Sequence, residues 1–561
     1  MSVRLRLALV GGLGVAACSN PEPADLVLLH GAVYPFAIDS ARAEAVAVRH
    51  GVVVYVGDDR GARRLVGPGT TLQQLNGRMV LPAFHDTHMH PRGGIGLTEC
   101  TLDDLATRDA VADSVRRCAV LHPDLAWVRG RGWQLPVFPE ANPRKEWLDA
   151  AVPDRPAFLS AADGHSAWVN SKALAIAGIN RATKDPPGGR IERDAATGEP
   201  TGTLRESAQD LVARHLPPRT QTEIQAGILR ALAMANRFGI TAIHEAAADP
   251  GLLEAYAALD SAGKLTARIV AAIETDPLAG PGQVDSLRAW RARYAGRQYF
   301  APRAAKIFAD GVIEAKTAAL LAPYLDGTAK SGEPNLSPGA MDTLVAALDA
   351  AGFQVHIHAI GDRAVRMSLD AYAFARRHNG PRDARPIIAH LELIDPADIP
   401  RFAELGVIPS FQPLWAWADN YITDLTVPVL GPQRSRWLYP IGSVAKTGAH
   451  LAAGSDWSVS SMNPMEAIQV AVTRRSPTAP SGPAWIPEET VDLGTMLRAY
   501  TQGGAYAAGE EASNGTLEEG KAADLIVVDR DLYHIPVTDI HNGRVLLTLL
   551  DGRVVWRGPP R

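Results

Sequence analysis

Residues 81 to 91 read Leu-Pro-Ala-Phe-His-Asp-Thr-His-Met-His-Pro, an apolar run that ends in two histidines one residue apart. Side chains on a strand alternate with period two, so His88 and His90 share one face with Asp86, while His85 points to the other. Pro91 ends pairing just beyond them. Alone, such a pair reads equally well as a solvated loop or as part of a metal site. A metal site needs more ligands, and the rest of the chain must supply them.

The chain has 561 residues, too many for one hydrophobic core. Strand-like runs at 304–308, 353–358, 386–390 and 451–456 alternate with alanine-rich amphipathic stretches such as 342–351 and 399–405. That rhythm predicts an α/β fold with a parallel sheet, and a TIM-like (β/α)8 barrel over 81–511 is the natural form. A segment rich in Pro, Gly and Arg, about 127–216, breaks the rhythm and is expected to be an insertion over the barrel mouth. Residues 25–80 and 512–561 hold short β-branched runs between Gly and Asp turns, with His50-Gly51 as a tight one. Neither end has enough strands to cover a sheet face, so the two together are expected to form one β domain.

In a parallel barrel the C-terminal strand ends meet at one mouth. Five predicted strands carry, at or near that end, a side chain able to bind metal: His88 with His90, Lys306, His358, His390 and Asp456. One strand-end histidine is more often a hydrogen-bonded structural residue; five such positions in order are not explained that way. At the fifth strand His356 and His358 share a face, and His358, nearer the end, is the expected ligand.

These residues lie in segments that resemble the amidohydrolase superfamily, in particular the branch holding N-substituted formamide deformylases and exoenzyme-regulatory proteins. The carriers are residues 81–91, Lys306 to Gly311, His358 to Ala364, His390, Gly454 to Trp457, Asp163 to Ser171 and Gly515 to Leu525. The usual Gly-Phe-Ile-Asp lead into the first pair is Ala83-Phe84-His85-Asp86 here, and His85 is taken as structural or as a support behind the ligands, not as a ligand. The resemblance implies a (β/α)8 barrel with a β-sandwich made from both termini, and a metal centre of His88, His90, Lys306, His358, His390 and Asp456. It also implies that CO2 carboxylates Lys306, turning a cation into a bridge between two metals. Carboxylation needs a neutral amine, which burial beside metal cations would favour. The alternative is an ordinary lysine paired with Asp310 and a single metal.

The ligand set implies one or two divalent ions; nitrogen and oxygen donors without thiolate suit zinc. Hydroxide generated at the metal would attack an amide-like carbon, with Asp456 as general base and then general acid. The expected reaction is hydrolysis of a non-peptide C–N bond in a small amide, formamide or cyclic amide. His165 is a candidate to bind or polarise the substrate carbonyl, with helix capping or packing as its alternative. Trp133 and Arg205 are candidates to line the pocket, one of them being expected to be structural. His244-Glu245 ends another strand and could reach the mouth. Three other readings stay open: a mononuclear deaminase, a lactone or ester hydrolase, and a non-catalytic envelope binding protein. Ala359-Ile360-Gly361-Asp362 after His358 offers no nearby glutamate shuttle, which argues against the deaminase.

Residues 1–17 carry Arg4 and Arg6 and then an apolar run, the layout of a secretory signal. Val15-Ala16-Ala17-Cys18 resembles a bacterial lipobox, which implies lipidation at Cys18 and a periplasm-facing lipoprotein; Ser19 after it favours the outer membrane. Residues 18–24 then read as a tether. Cys100 and Cys118, in an oxidising compartment, either form a disulfide or are two small buried residues that never meet. The formal charge of −5, with no basic block, gives no reason to expect a nucleic-acid partner. The lipid anchor is the sole membrane attachment expected. Barrel and sandwich surfaces often pair in the family, so a homo-oligomer is expected without an assigned interface.

Overall fold

Val, Ile and Leu dominate the short runs that the computed structural model, describing residues 22–37 and 41–559, builds into sheets. The signal segment, Cys18 and most of the tether lie outside the described residues. Among the described residues eight parallel strands form one sheet in sequential order. They are β1 Phe84–Met89, β2 Ile240–Ala248, β3 Arg268–Glu274, β4 Phe300–Phe308, β5 Gln354–Ala359, β6 Ile387–His390, β7 Ile408–Phe411 and β8 Ala452–Ala453. The sheet is the expected (β/α)8 barrel. Its last gap is bridged past the short β8, where Asp456 N donates to His88 O at 2.7 Å and His90 N to Trp457 O at 2.7 Å. This approach requires Gly454, because a Cβ there would lie 2.5 Å from the amide nitrogen of His88.

Helices cover the outside of the barrel. Helix Gln221–Arg237 starts with a capping box between Thr220 and Glu223 and buries Ile228, Ala231, Leu232 and Ala235. At its other end Asn236 Nδ2 donates to Ile240 O and Thr266 O, which fixes the turn into β2.

Both termini contribute to the sandwich. One sheet orders Val52–Gly57, Ala45–Arg49, Leu26–Leu29 and Thr71–Gln74. The other orders Ala32–Val33, Met79–Pro82, Leu525–Val528, Val545–Leu550 and Arg553–Arg557. Val46, Val48, Val80, Leu525, Val527 and Leu547 share the core between them. The His50-Gly51 turn has positive φ at both residues, as a two-residue hairpin requires. The run into the first histidine pair therefore divides. Met79–Pro82 belongs to the sandwich, Ala83 is the crossing, and the barrel begins at Phe84.

A mixed six-stranded sheet covers residues 100–206, ordered Gly189–Arg193, Pro200–Glu206, Ser166–Val169, Ala157–Ala161, Val128–Trp133 and Cys100–Thr101. The interruption of the barrel thus begins before residue 127. The 100–121 stretch, a short strand and an amphipathic helix, keeps the alternating texture of a barrel and so hid the start. Cys100 and Cys118 form a disulfide, with Cα atoms 5.6 Å apart.

Candidate metal centre

Strand parity and barrel closure together converge the side chains expected at the mouth. His88 ends β1 and is fully buried, and its Nε2 lies 3.6 Å from Asp456 Oδ1. His90 Nε2 lies 3.2 Å from the same oxygen. His390 Nδ1 is 4.0 Å from Asp456 Oδ2, and its ring centroid is 4.6 Å from that of His88. One ligand atom each from His88, His390 and Asp456 fall within 4.8 Å of one another. His358 packs beside them, its ring 4.4 Å from His390. Its Nε2 faces Gly311 O at 3.2 Å, which leaves Nδ1 as the free nitrogen. Lys306 Nζ lies 3.3 Å from His88 Nε2.

His390 Nδ1 is buried without a hydrogen-bond partner, and Asp456 Oδ1 is buried with only the ion-pair approach of His90 Nε2 at 3.2 Å. Buried polar atoms are almost always paired, so an orphaned imidazole nitrogen facing a carboxylate among imidazoles fits a bound cation. The protonation states agree. Burial, aided by the Lys306 charge, holds His88, His358 and His390 well below the usual imidazole range, leaving them neutral as metal ligands must be. Burial also lowers the Lys306 amine to about 8 against the pull of Asp456, Glu274 and Glu245. His90 differs: burial would lower it, but Asp456 and Glu245 raise it to about 9.

Asp310 does not pair with the lysine. Its carboxylate accepts from the backbone N–H groups of Ala319, Ile360 and Gly361, tying the loop after β4 to the loop after β5. Asp86 likewise serves the backbone, accepting from His88 N and Ser455 N. His85 points away from the centre, as its parity predicted, and its Nε2 meets His244 Nδ1 at 3.1 Å.

The insertion brings one of its three expected residues to the mouth. His165 Nδ1 meets Glu206 Oε2 at 2.8 Å, and its ring lies 5.1 Å from that of His358. Thr317 Oγ1 donates to the other oxygen of Glu206, so this carboxylate joins the insertion to the barrel. Burial would depress the His165 imidazole, but Glu206 and Asp163 raise it to about 9. Trp133 and Arg205 are corrected. Trp133 is wholly buried among the apolar residues of the insertion, with its indole N–H given to Leu159 O. Arg205, 1% exposed, donates to Ser166 Oγ, Ala141 O and Glu192 Oε1. All three nitrogens are engaged within the insertion, so neither side chain lines the pocket.

Three more residues lie near the centre: Glu245, which sequence allowed to reach the mouth, His356, which shares the ligand face of β5 but was set aside for His358, and Trp415, which sequence did not single out. Glu245 Oε1 lies 3.6 Å from His90 Nδ1, while its other oxygen accepts from Tyr256 OH at 2.8 Å. His356 Nε2 meets His88 Nδ1 at 2.8 Å. Trp415 stacks on His390, with the planes 4° apart and centroids 5.7 Å apart. The first two had a signal in strand position; Trp415, in a turn after β7, had none.

Residues 72–556 match the profile of the family described as "Amidohydrolase family". The chain is 29% identical over 535 residues to the putative amidohydrolase YtcJ of Bacillus subtilis, spanning 94% of this chain and 98% of that protein. It is 27% identical over 544 residues to the N-substituted formamide deformylase of Arthrobacter pascens, spanning 94% and 97%. Among solved structures, an uncharacterized metal-dependent hydrolase from Pyrococcus furiosus superposes with a TM-score of 0.69 at 25% identity. That match covers 90% of this chain and 99% of the other.

Proposed function

This chain belongs to the amidohydrolase family, a metal-dependent hydrolase family, and from that membership we propose that it hydrolyses a small amide, formamide or cyclic amide. His88, His90, Lys306, His358, His390 and Asp456 would hold one or two divalent ions, with zinc the best match to the donors. The observation that carries this reading is the convergence of one ligand atom each from His88, His390 and Asp456 within 4.8 Å, with His390 Nδ1 buried and unpartnered. When bound, a divalent ion supplies Lewis acidity toward a carbonyl and lowers the pKa of water.

The chain's own residues do the rest. Asp456 takes the proton from the attacking water and returns it to the leaving nitrogen. His165, charged and held by Glu206, offers its remaining N–H to the substrate carbonyl. Lys306 has the depressed pKa that carboxylation by CO2 needs. The deformylase relative supports an amide-type substrate. The Cys100–Cys118 disulfide supports export to an oxidising compartment, in keeping with a lipoprotein anchored at Cys18.

Elemental analysis tests the centre. Two metals per chain are expected in the wild type, falling to one or none in Lys306→Ala. A count unaffected by that change overturns the carboxylated bridge, and a metal-free wild type overturns the reading. The substrate class is tested with N-substituted formamides and amides against matched esters. Chelator-sensitive turnover of the amides is expected, and faster turnover of the esters would count against it.

A further inference from the structure

His356 shares a face of β5 with His358, yet the structure puts it behind the centre. It is fully buried, and its Nε2 lies 2.8 Å from His88 Nδ1. A hydrogen bond between two neutral imidazoles can run either way, and the direction decides which nitrogen of His88 is bare. If His356 donates, His88 carries its proton on Nε2 and has no lone pair for the centre. If His88 donates, its Nε2 is bare.

The centre on the other side of His88 breaks the tie. His88 Nε2 faces Asp456 Oδ1 at 3.6 Å, and a nitrogen that is to bind metal there must be bare. On the metal reading the proton of His88 therefore sits on Nδ1, and His356 Nε2 accepts it. The proton of His356 is then on Nδ1, which is buried without a partner. The arrangement leaves a buried polar group unsatisfied, and what it secures is the orientation of His88.

We propose that His356 is a positioning residue: as the acceptor behind His88, it fixes the Nδ1–H form and turns Nε2 toward the metal centre. This inference rests on the metal-hydrolase reading. It gives the two histidines of the first pair different supports. His88 leans on an imidazole, and His90 faces the Glu245 carboxylate that Tyr256 holds. Groups behind metal-bound histidines typically alter metal affinity by about 10–100-fold when removed.

The test compares full-length wild type with His356→Gln, His356→Asn and His356→Leu. Glutamine can place its amide oxygen near the position of Nε2; asparagine falls short of it, and leucine cannot accept. Zinc affinity is measured by competition with a chromophoric chelator, and the visible spectrum of the cobalt-loaded proteins reports ligand geometry. The melting temperature of each metal-free protein is the control for folding. Asn and Leu are expected to lose about 10–100-fold in affinity with an altered cobalt spectrum, while Gln stays near wild type. If the leucine variant fails to fold, the Gln–Asn comparison still decides. Equal affinity in all variants, with tight binding by the wild type, overturns the positioning role and leaves the hydrolase reading intact. Equal loss in Gln and Asn also overturns it, because reach would then not matter. A wild type that binds no metal removes the reading itself.

Discussion

His390 and Asp456 both hold positive φ, 77° and 51°, and Leu391 follows at 56°. Such backbone costs about 1–3 kcal/mol per residue and persists where the surroundings impose it. Here the surroundings are identifiable: the closure bond from Asp456 N to His88 O pulls the turn after β8 against β1. These residues were legible in sequence because chemistry labels them, a histidine or aspartate at the end of an apolar run. Trp133 and Arg205 were not, because a buried and a pocket-lining indole or guanidinium look alike in one sequence. Their assignment to the core of the insertion makes a prediction. Arg205→Met should lower stability by ~3 kcal/mol, since it strips hydrogen bonds from a buried site. Trp133→Ala should cost ~3–5 kcal/mol. Both should leave KM of the stably folded enzyme nearly unchanged. A raised KM with an unchanged melting temperature would return either residue to the pocket.

At the scale of elements, the insertion hangs on a weak edge. Cys100–Thr101 is a two-residue strand paired in parallel with Val128–Trp133, and parallel pairing this short contributes little. Gly130 allows the approach, since a Cβ there would lie 2.6 Å from Cys100 O. The disulfide ties this edge to helix Arg108–Leu121, closing a loop with a sequence separation of 18. Removing such a crosslink costs ~3 kcal/mol in the loop-entropy account. Cys118→Ser, or reductant on the wild type, should therefore lower the melting temperature of the insertion while the metal content of the barrel stays the same. Loss of metal on reduction would mean that the two layers do not melt independently. The extent of this layer was hidden in sequence for a physical reason. Helix Arg108–Leu121, with its Thr107 cap and a buried stripe of Val111, Val115 and Ala119, has the amphipathic pattern of any barrel helix. Only pairing between distant strands reveals which sheet it covers.

At the scale of the whole molecule, the barrel and the sandwich meet around one half-buried cation. That the termini combine was legible from their matching texture, but texture carries no information about which charges face each other across the seam. Arg268, at the start of β3, donates from Nε to Asp524 Oδ2 at 2.8 Å and bonds Asp551 through Nη2. Tyr299 OH donates to the other oxygen of Asp551 at 2.6 Å. Asp524 is buried, and its backbone oxygen accepts from Ala83 N at the crossing into β1. Removing the cation alone leaves that carboxylate without its counter-charge, which typically costs ~3–5 kcal/mol. Arg268→Met is thus expected to melt well below wild type, and adding Asp524→Asn should recover part of the loss. The pH dependence has a definite sign. Burial raises the Asp524 carboxyl above its ordinary value while Arg268 holds it down, so losing Arg268 raises it further. A carboxyl whose folded pKa is raised favours the folded state when protonated, and that contribution disappears as pH rises through the folded pKa. The deficit of Arg268→Met relative to Arg268→Met/Asp524→Asn should therefore be largest at neutral pH and shrink as pH falls toward about 4. Calorimetric melting of both variants across that range measures it. No deficit between the two variants at any pH, with both melting equally far below wild type, would place the energetic weight of Arg268 on its packing against Tyr299, 5.6 Å from the ring centre, instead of on the charge.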